Sequence, residues 1–284
     1  MIRPGPADVG RLVRMALEED APWGDITSQA LIPAAARVTA ELVAREPGAL
    51  CGEDVFIAAM SLTDAGIATR FEVHDGEQFA HGDVLATVEG PARAVLQAER
   101  VALNFVQRLC GIATLTAKYV AEAVGTKARI ADTRKTTPGL RVLERYAVRC
   151  GGGTNHRFSL SDAVLAKDNH LAILGAGLQE AIGRARAVLP HTTHFEVEVD
   201  SLDQIEEALA AGVDTIMLDN FSTGELRAGV AKIAGRALVE ASGGITLERI
   251  REIAATGVDI ISVGALTHSV RALDLGLDIR ARAS

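Results

Sequence analysis

From Lys127 onward, short apolar runs alternate with amphipathic helical stretches, and this alternation constrains the fold more than any other feature of the chain. The candidate strands are Ala128–Ala131, Ala163–Ala166, His194–Val199, Thr215–Leu218, Ala237–Ala241 and Asp259–Val263. Helical patterns lie between them, near Gly139–Val148, Leu178–Val188, Leu202–Ala210, Gly224–Ile233 and Leu247–Ala255. Strand and helix in turn, joined by short connections, call for a parallel sheet with crossover helices. Six strands fall short of the eight of a closed barrel, so the expectation is an incomplete, irregular α/β barrel. An open doubly wound sheet is the competing architecture. It should carry a Gly-rich dinucleotide loop after its first strand, and Asp132-Thr133-Arg134-Lys135 is not one.

The region before Lys127 has a different texture. Asp8 is placed to cap a first helix whose stripe is Val9, Leu12, Val13, Ala16 and Leu17. Period-two patterns follow at Val38, Ala40, Leu42 and Ala44, and again at Ile67, Thr69, Phe71 and Val73. A long helical pattern runs from about Ala92 to Val124, broken near Cys110-Gly111, with Val95, Ala98, Ala102, Phe105 and Leu109 toward a core and Arg100, Asn104 and Gln107 opposite. Residues 1–112 thus form an α+β open-sandwich domain, and 113–269 the barrel domain. At the end of the chain Leu273, Leu275, Leu277 and Ile279 alternate with polar residues and glycine. An orphan strand needs a sheet, so 270–284 is expected to rejoin the first domain.

Composition narrows the class. Of 284 residues, 48% are hydrophobic and 23% charged, which suits a folded protein with a real core. No stretch reaches the ~18 uninterrupted apolar residues of a membrane span, and MIRPGPADVGRL has no apolar run of the secretory kind. Cys51, Cys110 and Cys150 are odd in number and lack metal-like or redox-like spacing, pointing to a reduced, cytoplasmic setting. A net charge of −8 argues against nucleic acid as a partner. Between Lys127 and Arg157 the sign reverses: eight basic residues meet only Asp132 and Glu144, a local +6 that leaves −14 elsewhere. Such a segment is either a basic helix face or a site for a small, multiply anionic ligand.

Chemistry-bearing residues end nearly every candidate barrel strand, on the face where barrel enzymes hold their active sites. The strands run into Asp132-Thr133-Arg134-Lys135, into Lys167-Asp168-Asn169-His170, through Glu196, Glu198 and Asp200 on one face, and into Asp219-Asn220, Glu240-Ala241-Ser242-Gly243-Gly244 and Gly264. The glycines after the last two strands suit a phosphate held by backbone N–H groups. Glu198 and Asp219 suit ribose hydroxyls, Mg²⁺ or a developing cation. Lys167 has the strand-borne place of a Schiff-base lysine, but Arg134, Lys135, His156 and Arg157 point to an anionic ligand that keeps it protonated. Cys150 lacks an acid–His relay and reads as a packed thiol.

Several motifs together resemble the quinolinate phosphoribosyltransferase family. They are Asp132-Thr133-Arg134-Lys135-Thr136-Thr137-Pro138-Gly139-Leu140-Arg141, Gly151-Gly152-Gly153-Thr154-Asn155-His156-Arg157 and Lys167-Asp168-Asn169-His170. Glu196-Val197-Glu198-Val199-Asp200, Leu218-Asp219-Asn220-Phe221, Glu240-Ala241-Ser242-Gly243-Gly244 and Ser262-Val263-Gly264 continue the match. Upstream, Gly24-Asp25-Ile26-Thr27, Glu99-Arg100 and Gly111-Ile112-Ala113-Thr114 also fit. Cys110 departs from the serine usual there.

The resemblance implies phosphoribosyl transfer from phosphoribosyl pyrophosphate to quinolinate, with decarboxylation to nicotinate mononucleotide, pyrophosphate and CO₂. By the same resemblance Arg100, Thr133, Arg134, His156, Arg157 and Lys167 hold quinolinate. Lys135, Glu198 and Asp219 are the catalytic set and, with Ser242, Gly243, Gly244 and Gly264, hold the sugar donor. Mg²⁺ arrives with that donor, no organic cofactor is needed, and no residue is assigned as a resident metal ligand. The resemblance also implies a homodimer with shared sites and leaves room for a higher oligomer. Two alternatives stand beside it: a paralogue associated with molybdenum uptake, and a carrier or scaffold protein. The first would not need every quinolinate cation. The second needs a hairpin-tip lysine, and no lysine precedes Lys118.

Overall fold

The computed structural model describes residues 3–173 and 177–280. The chain divides into two compact bodies, one of residues up to Ala117, Thr136–Gly152 and the chain from Leu266, the other of Lys118–Lys135 and Gly153–Ala265.

The first body is built on a four-stranded antiparallel sheet, in the order Leu275–Arg280, Arg37–Ala44, Val84–Pro91, Ala68–Phe71. The C-terminal strand takes the edge beside Arg37–Ala44, Leu42 opposite Leu277. Its period-two face holds as far as Leu277: Leu275 and Leu277 are buried, whereas Ile279, on the same face at the end of the strand, is exposed. The first helix is Pro6–Asp20 with Gly5 at its N-cap and Pro at its start, so Asp8 is not the cap but a first-turn acid. Asp25 does cap, accepting from the N–H groups of Thr27 and Ser28 ahead of the helix Ile26–Leu31. In the helix Glu53–Thr63 the buried stripe of Val55, Phe56, Ala59 and Met60 is blurred in the sequence by Ile57 and Leu62, which are apolar yet exposed.

The long helix spans Ala92–Glu122 without the expected break at Cys110-Gly111. Gly111 is there for proximity, not for a kink: a Cβ on it would lie 2.2 Å from the carbonyl oxygen of Arg271. Gly111→Ala should therefore cost about 1–3 kcal/mol through overpacking, lowering the melting temperature by roughly 2–8 °C. An unchanged melting curve would contradict that close approach.

The helix Arg141–Cys150, read from sequence among the barrel's helices, falls in the first body. Glu144, fully buried, meets Arg108 at 2.6 Å, and the same guanidinium donates to Thr137 and to the carbonyl of Thr267. The Tyr146 hydroxyl donates to Asp75, which also accepts from Gly52 and Glu53. The basic segment is thus divided: Arg141, Arg145 and Arg149 ride on this helix, while Arg134, Lys135 and Arg157 belong to the second body. All three cysteines are buried in the first body, Cys150 included, and none of them forms a disulfide.

The second body holds six parallel strands in the order Arg129–Ala131, Ile260–Ser262, Leu238–Ser242, Thr215–Asp219, Phe195–Val199, Val164–Ala166. From Val164–Ala166 to Ile260–Ser262, each new strand joins beside its predecessor. That order winds one way round a barrel, without the reversal of a doubly wound sheet. Among the described residues no ladder joins Arg129–Ala131 to Val164–Ala166, so the barrel is incomplete. No helix of the described residues is long and apolar enough to cross a membrane.

Candidate active site

Because the strands are parallel, their C-terminal ends lie on one face, and a cavity of about 580 Å³ opens there. Every strand contributes to its wall. Thr133, Arg134 and Lys135 follow the first, Lys167 the second, Glu198 stands on the third, Asp219 and Asn220 end the fourth, Ser242, Gly243 and Gly244 the fifth, and Ser262 the sixth. Leu165 and Met217, both buried, give the wall its apolar part.

The cationic wall sits at the open seam. Thr154 pairs with Ala131 as a short parallel bridge, so Thr154–Arg157 runs where the barrel lacks a strand. Asp132, fully buried, holds this segment by accepting from the His156 backbone N–H at 2.8 Å and from the Asn155 amide at 2.5 Å. The Arg157 guanidinium donates to the Ala163 carbonyl beside the next strand at 2.9 Å. Burial and then the neighbouring Arg134 guanidinium both lower the Arg157 pKa. Two partly desolvated cations side by side form a subsite suited to carboxylates.

Beneath them His156 faces two buried acids, with Nε2 3.1 Å from Glu196 and 3.5 Å from Glu240. Burial opposes charge on the ring, while the two carboxylates favour it and raise its pKa. Nε2, facing both carboxylates, carries a proton. Nδ1 accepts the Arg157 backbone N–H at 2.7 Å, a bond that opposes a second proton there. In this geometry the ring carries its proton on Nε2. Burial, reinforced by Glu240, raises the Glu196 carboxyl against the opposing pull of His156.

Lys167 forms a close ion pair with Glu198. The cavity is also lined by a glycine turn, Ser242-Gly243-Gly244. Gly243 has φ +86°, and a Cβ there would lie 2.2 Å from the Asn220 side-chain oxygen, so only glycine lets Ser242-Gly243-Gly244 close over Asp219-Asn220. Asn220, itself at φ 59°, donates its backbone N–H to Ser242 and its amide to Asp219.

Of the residues expected from sequence, Thr133, Arg134, Lys135, His156, Arg157, Lys167, Glu198, Asp219, Ser242, Gly243 and Gly244 line this cavity. Gly264 follows the sixth strand outside the lining, and Arg100 stands exposed on the long helix of the first body. Sequence reasoning placed Glu240 and Asn220 at strand ends and Ser262 in a motif but assigned them no role, and it passed over Leu165 and Met217. The signal for Glu240 was present: it lies two residues before Ser242 on one strand and so shares its face.

Comparisons with known proteins agree over nearly the whole chain. Residues 25–110 match the quinolinate phosphoribosyl transferase N-terminal domain and residues 112–278 its C-terminal domain. The chain is 47% identical, over 94% of its length and 95% of the relative's, to the nicotinate-nucleotide pyrophosphorylase (carboxylating) of Mycobacterium leprae (strain TN). It is 44% identical to the probable nicotinate-nucleotide pyrophosphorylase (carboxylating) of Bacillus subtilis (strain 168), over 92% of this chain and 90% of that protein. Among solved structures, the nicotinate-nucleotide pyrophosphorylase from Francisella tularensis superposes with a TM-score of 0.93 at 40% identity, covering 98% of each chain.

Proposed function

This chain belongs to the quinolinate phosphoribosyltransferase family, and from that premise we propose how its cavity performs the family's reaction. Quinolinate and phosphoribosyl pyrophosphate give nicotinate mononucleotide, pyrophosphate and CO₂, a step of NAD biosynthesis. The observation that carries the reading is the division of one cavity into a paired-guanidinium wall and a glycine turn, with the carboxylates of Glu198 and Asp219 between them.

Arg134 and Arg157 take the two quinolinate carboxylates, assisted by Thr133 and Lys167, with His156 behind them. The turn at Ser242, Gly243 and Gly244, continued by Gly264, takes the 5′-phosphate. Lys135 faces the pyrophosphate as a mobile point charge. Glu198 and Asp219 lie where positive charge grows on the ribose carbon as the C1–O bond to pyrophosphate breaks. The pyridine nitrogen supplies the electron pair for the new C1–N bond. Once that nitrogen is quaternary, the C2–carboxylate bond breaks, CO₂ leaves, and the pair stays on C2 beside the positive nitrogen until a proton replaces it.

Glu198 and Asp219 offer hard oxygen donors of the kind Mg²⁺ prefers, so the cavity fits a metal carried in by the sugar donor. Bound there, Mg²⁺ would neutralise charge on pyrophosphate. Lys167 must leave Glu198 for quinolinate, which frees that carboxylate for the donor side. We also place the protein in the cytoplasm, where Cys51, Cys110 and Cys150 stay reduced, and read it as a homodimer in which Arg100 serves the neighbouring subunit.

Substrate choice tests the reading. Quinolinate should be used at least ~100-fold more efficiently than nicotinate, because nicotinate leaves one guanidinium uncompensated in a site built for two carboxylates. Comparable kcat/KM for the two acids would refute it.

A further inference from the structure

Two residues that the reaction described above does not use, Glu196 and Glu240, are among the most deeply buried acids of the second body, at 4% and 1% exposure. Glu240 reaches the cavity wall, whereas Glu196 does not. One oxygen of each accepts no hydrogen bond among the described residues. Burying two carboxylates beside an anion-binding wall costs stability and substrate affinity unless they hold something in place.

What they hold is the ring of His156. Both ring nitrogens point into the protein, Nε2 at Glu196 and Glu240 and Nδ1 at the backbone N–H of Arg157. The residue's own N–H is taken by Asp132. In this arrangement the ring presents neither nitrogen to a ligand; its contacts run on to the next residue.

We propose that Glu196, Glu240 and His156 form a buried support that positions Arg157, and that His156 serves quinolinate through Arg157 rather than as a ligand of its own. The proposal rests on the quinolinate reading of the cavity for its consequence, but not for its geometry. The carboxylates fix the Nε2–H tautomer and the plane of the ring. The ring then offers Nδ1 as acceptor and pins the backbone from which the guanidinium extends. A positioned guanidinium binds carboxylate bidentately, and a displaced one loses that geometry.

His156→Ala and His156→Asn separate the roles, because an asparagine oxygen can replace Nδ1 as acceptor while replacing neither the ring nor its Nε2–H donor. Amide hydrogen exchange at Arg157 in the ligand-free protein is the first readout. The alanine variant should exchange at least roughly tenfold faster than wild type, the worth of one lost bond, and the asparagine variant should stay close to wild type. Quinolinate affinity by calorimetry should follow: a loss of roughly ten- to hundredfold in the alanine variant, largely recovered by asparagine, with KM for phosphoribosyl pyrophosphate little changed. Should His156→Ala not fold, Glu196→Ala against Glu196→Gln carries the same test, since Glu196 lies off the cavity and reaches quinolinate only through the ring. Quinolinate binding as weak in His156→Asn as in His156→Ala, with Arg157 protected in both, would overturn the proposal and make His156 a direct ligand. So would a Glu196→Ala protein with wild-type Arg157 exchange and wild-type quinolinate affinity. A wild-type protein that ignores quinolinate would instead overturn the substrate reading and leave the exchange result standing.

Discussion

Lys135→Ala should lower kcat by roughly 10²–10³-fold, the range for removing one preorganised charge from a developing anion, while quinolinate binding stays nearly unchanged. The division follows from side-chain chemistry. Quinolinate presents planar carboxylates, which suit the guanidinium forks of Arg134 and Arg157; pyrophosphate in departure presents charge that moves, which suits a compact ammonium on a flexible stem. Lys135 lies on the loop after the first barrel strand, its backbone N–H held by the Thr133 hydroxyl at 3.1 Å, so its side chain enters the cavity from an anchored turn. Titration calorimetry with quinolinate and steady-state kinetics on the same variant measure the two halves separately. Loss of quinolinate binding together with turnover would show that Lys135 belongs to the carboxylate wall instead.

An all-or-none effect is expected when two inactive proteins are mixed. Arg100 stands on the exposed face of the Ala92–Glu122 helix, in the first body, whereas Asp219 ends a barrel strand in the second. If Arg100 completes the site of a neighbouring subunit, Arg100→Ala and Asp219→Ala homodimers are each dead at every site. Denatured and refolded together, they form heterodimers in which one site carries both lesions and the other carries none. Statistical assortment then restores about a quarter of wild-type activity. If Arg100 acts on its own subunit, each heterodimer site carries one lesion and the mixture stays inactive. Heterodimers shown to be present but without activity would refute the shared site.

The parallel strands were legible because each is a short apolar run bounded by residues that cannot continue it, and the structure keeps all six within a few residues of their expected ends. The residues that end them were legible for a related reason: Lys167, Asp219 and Ser242 interrupt apolar runs with polar groups, which is costly unless a cavity receives them. Pairings between distant segments were not legible. Nothing local in Arg141–Cys150 records that Glu144 waits for Arg108 or Tyr146 for Asp75, so the helix was grouped with the barrel. Gly111 was taken for a break because sequence shows a missing side chain but not the Arg271 carbonyl that fills its place. Glu196 and Glu240 lie on different strands with a third between them, and their meeting at His156 depends on sheet register.

Quinolinate labelled in its 2-carboxyl group, incubated with the pure protein, phosphoribosyl pyrophosphate and Mg²⁺, tests the central claim most directly. The expected result is labelled CO₂ and unlabelled nicotinate mononucleotide in equal amounts, with neither formed when the sugar donor is omitted. Label retained in the nucleotide, or CO₂ released without the donor, would contradict a reaction in which the new C1–N bond makes the carboxylate leave.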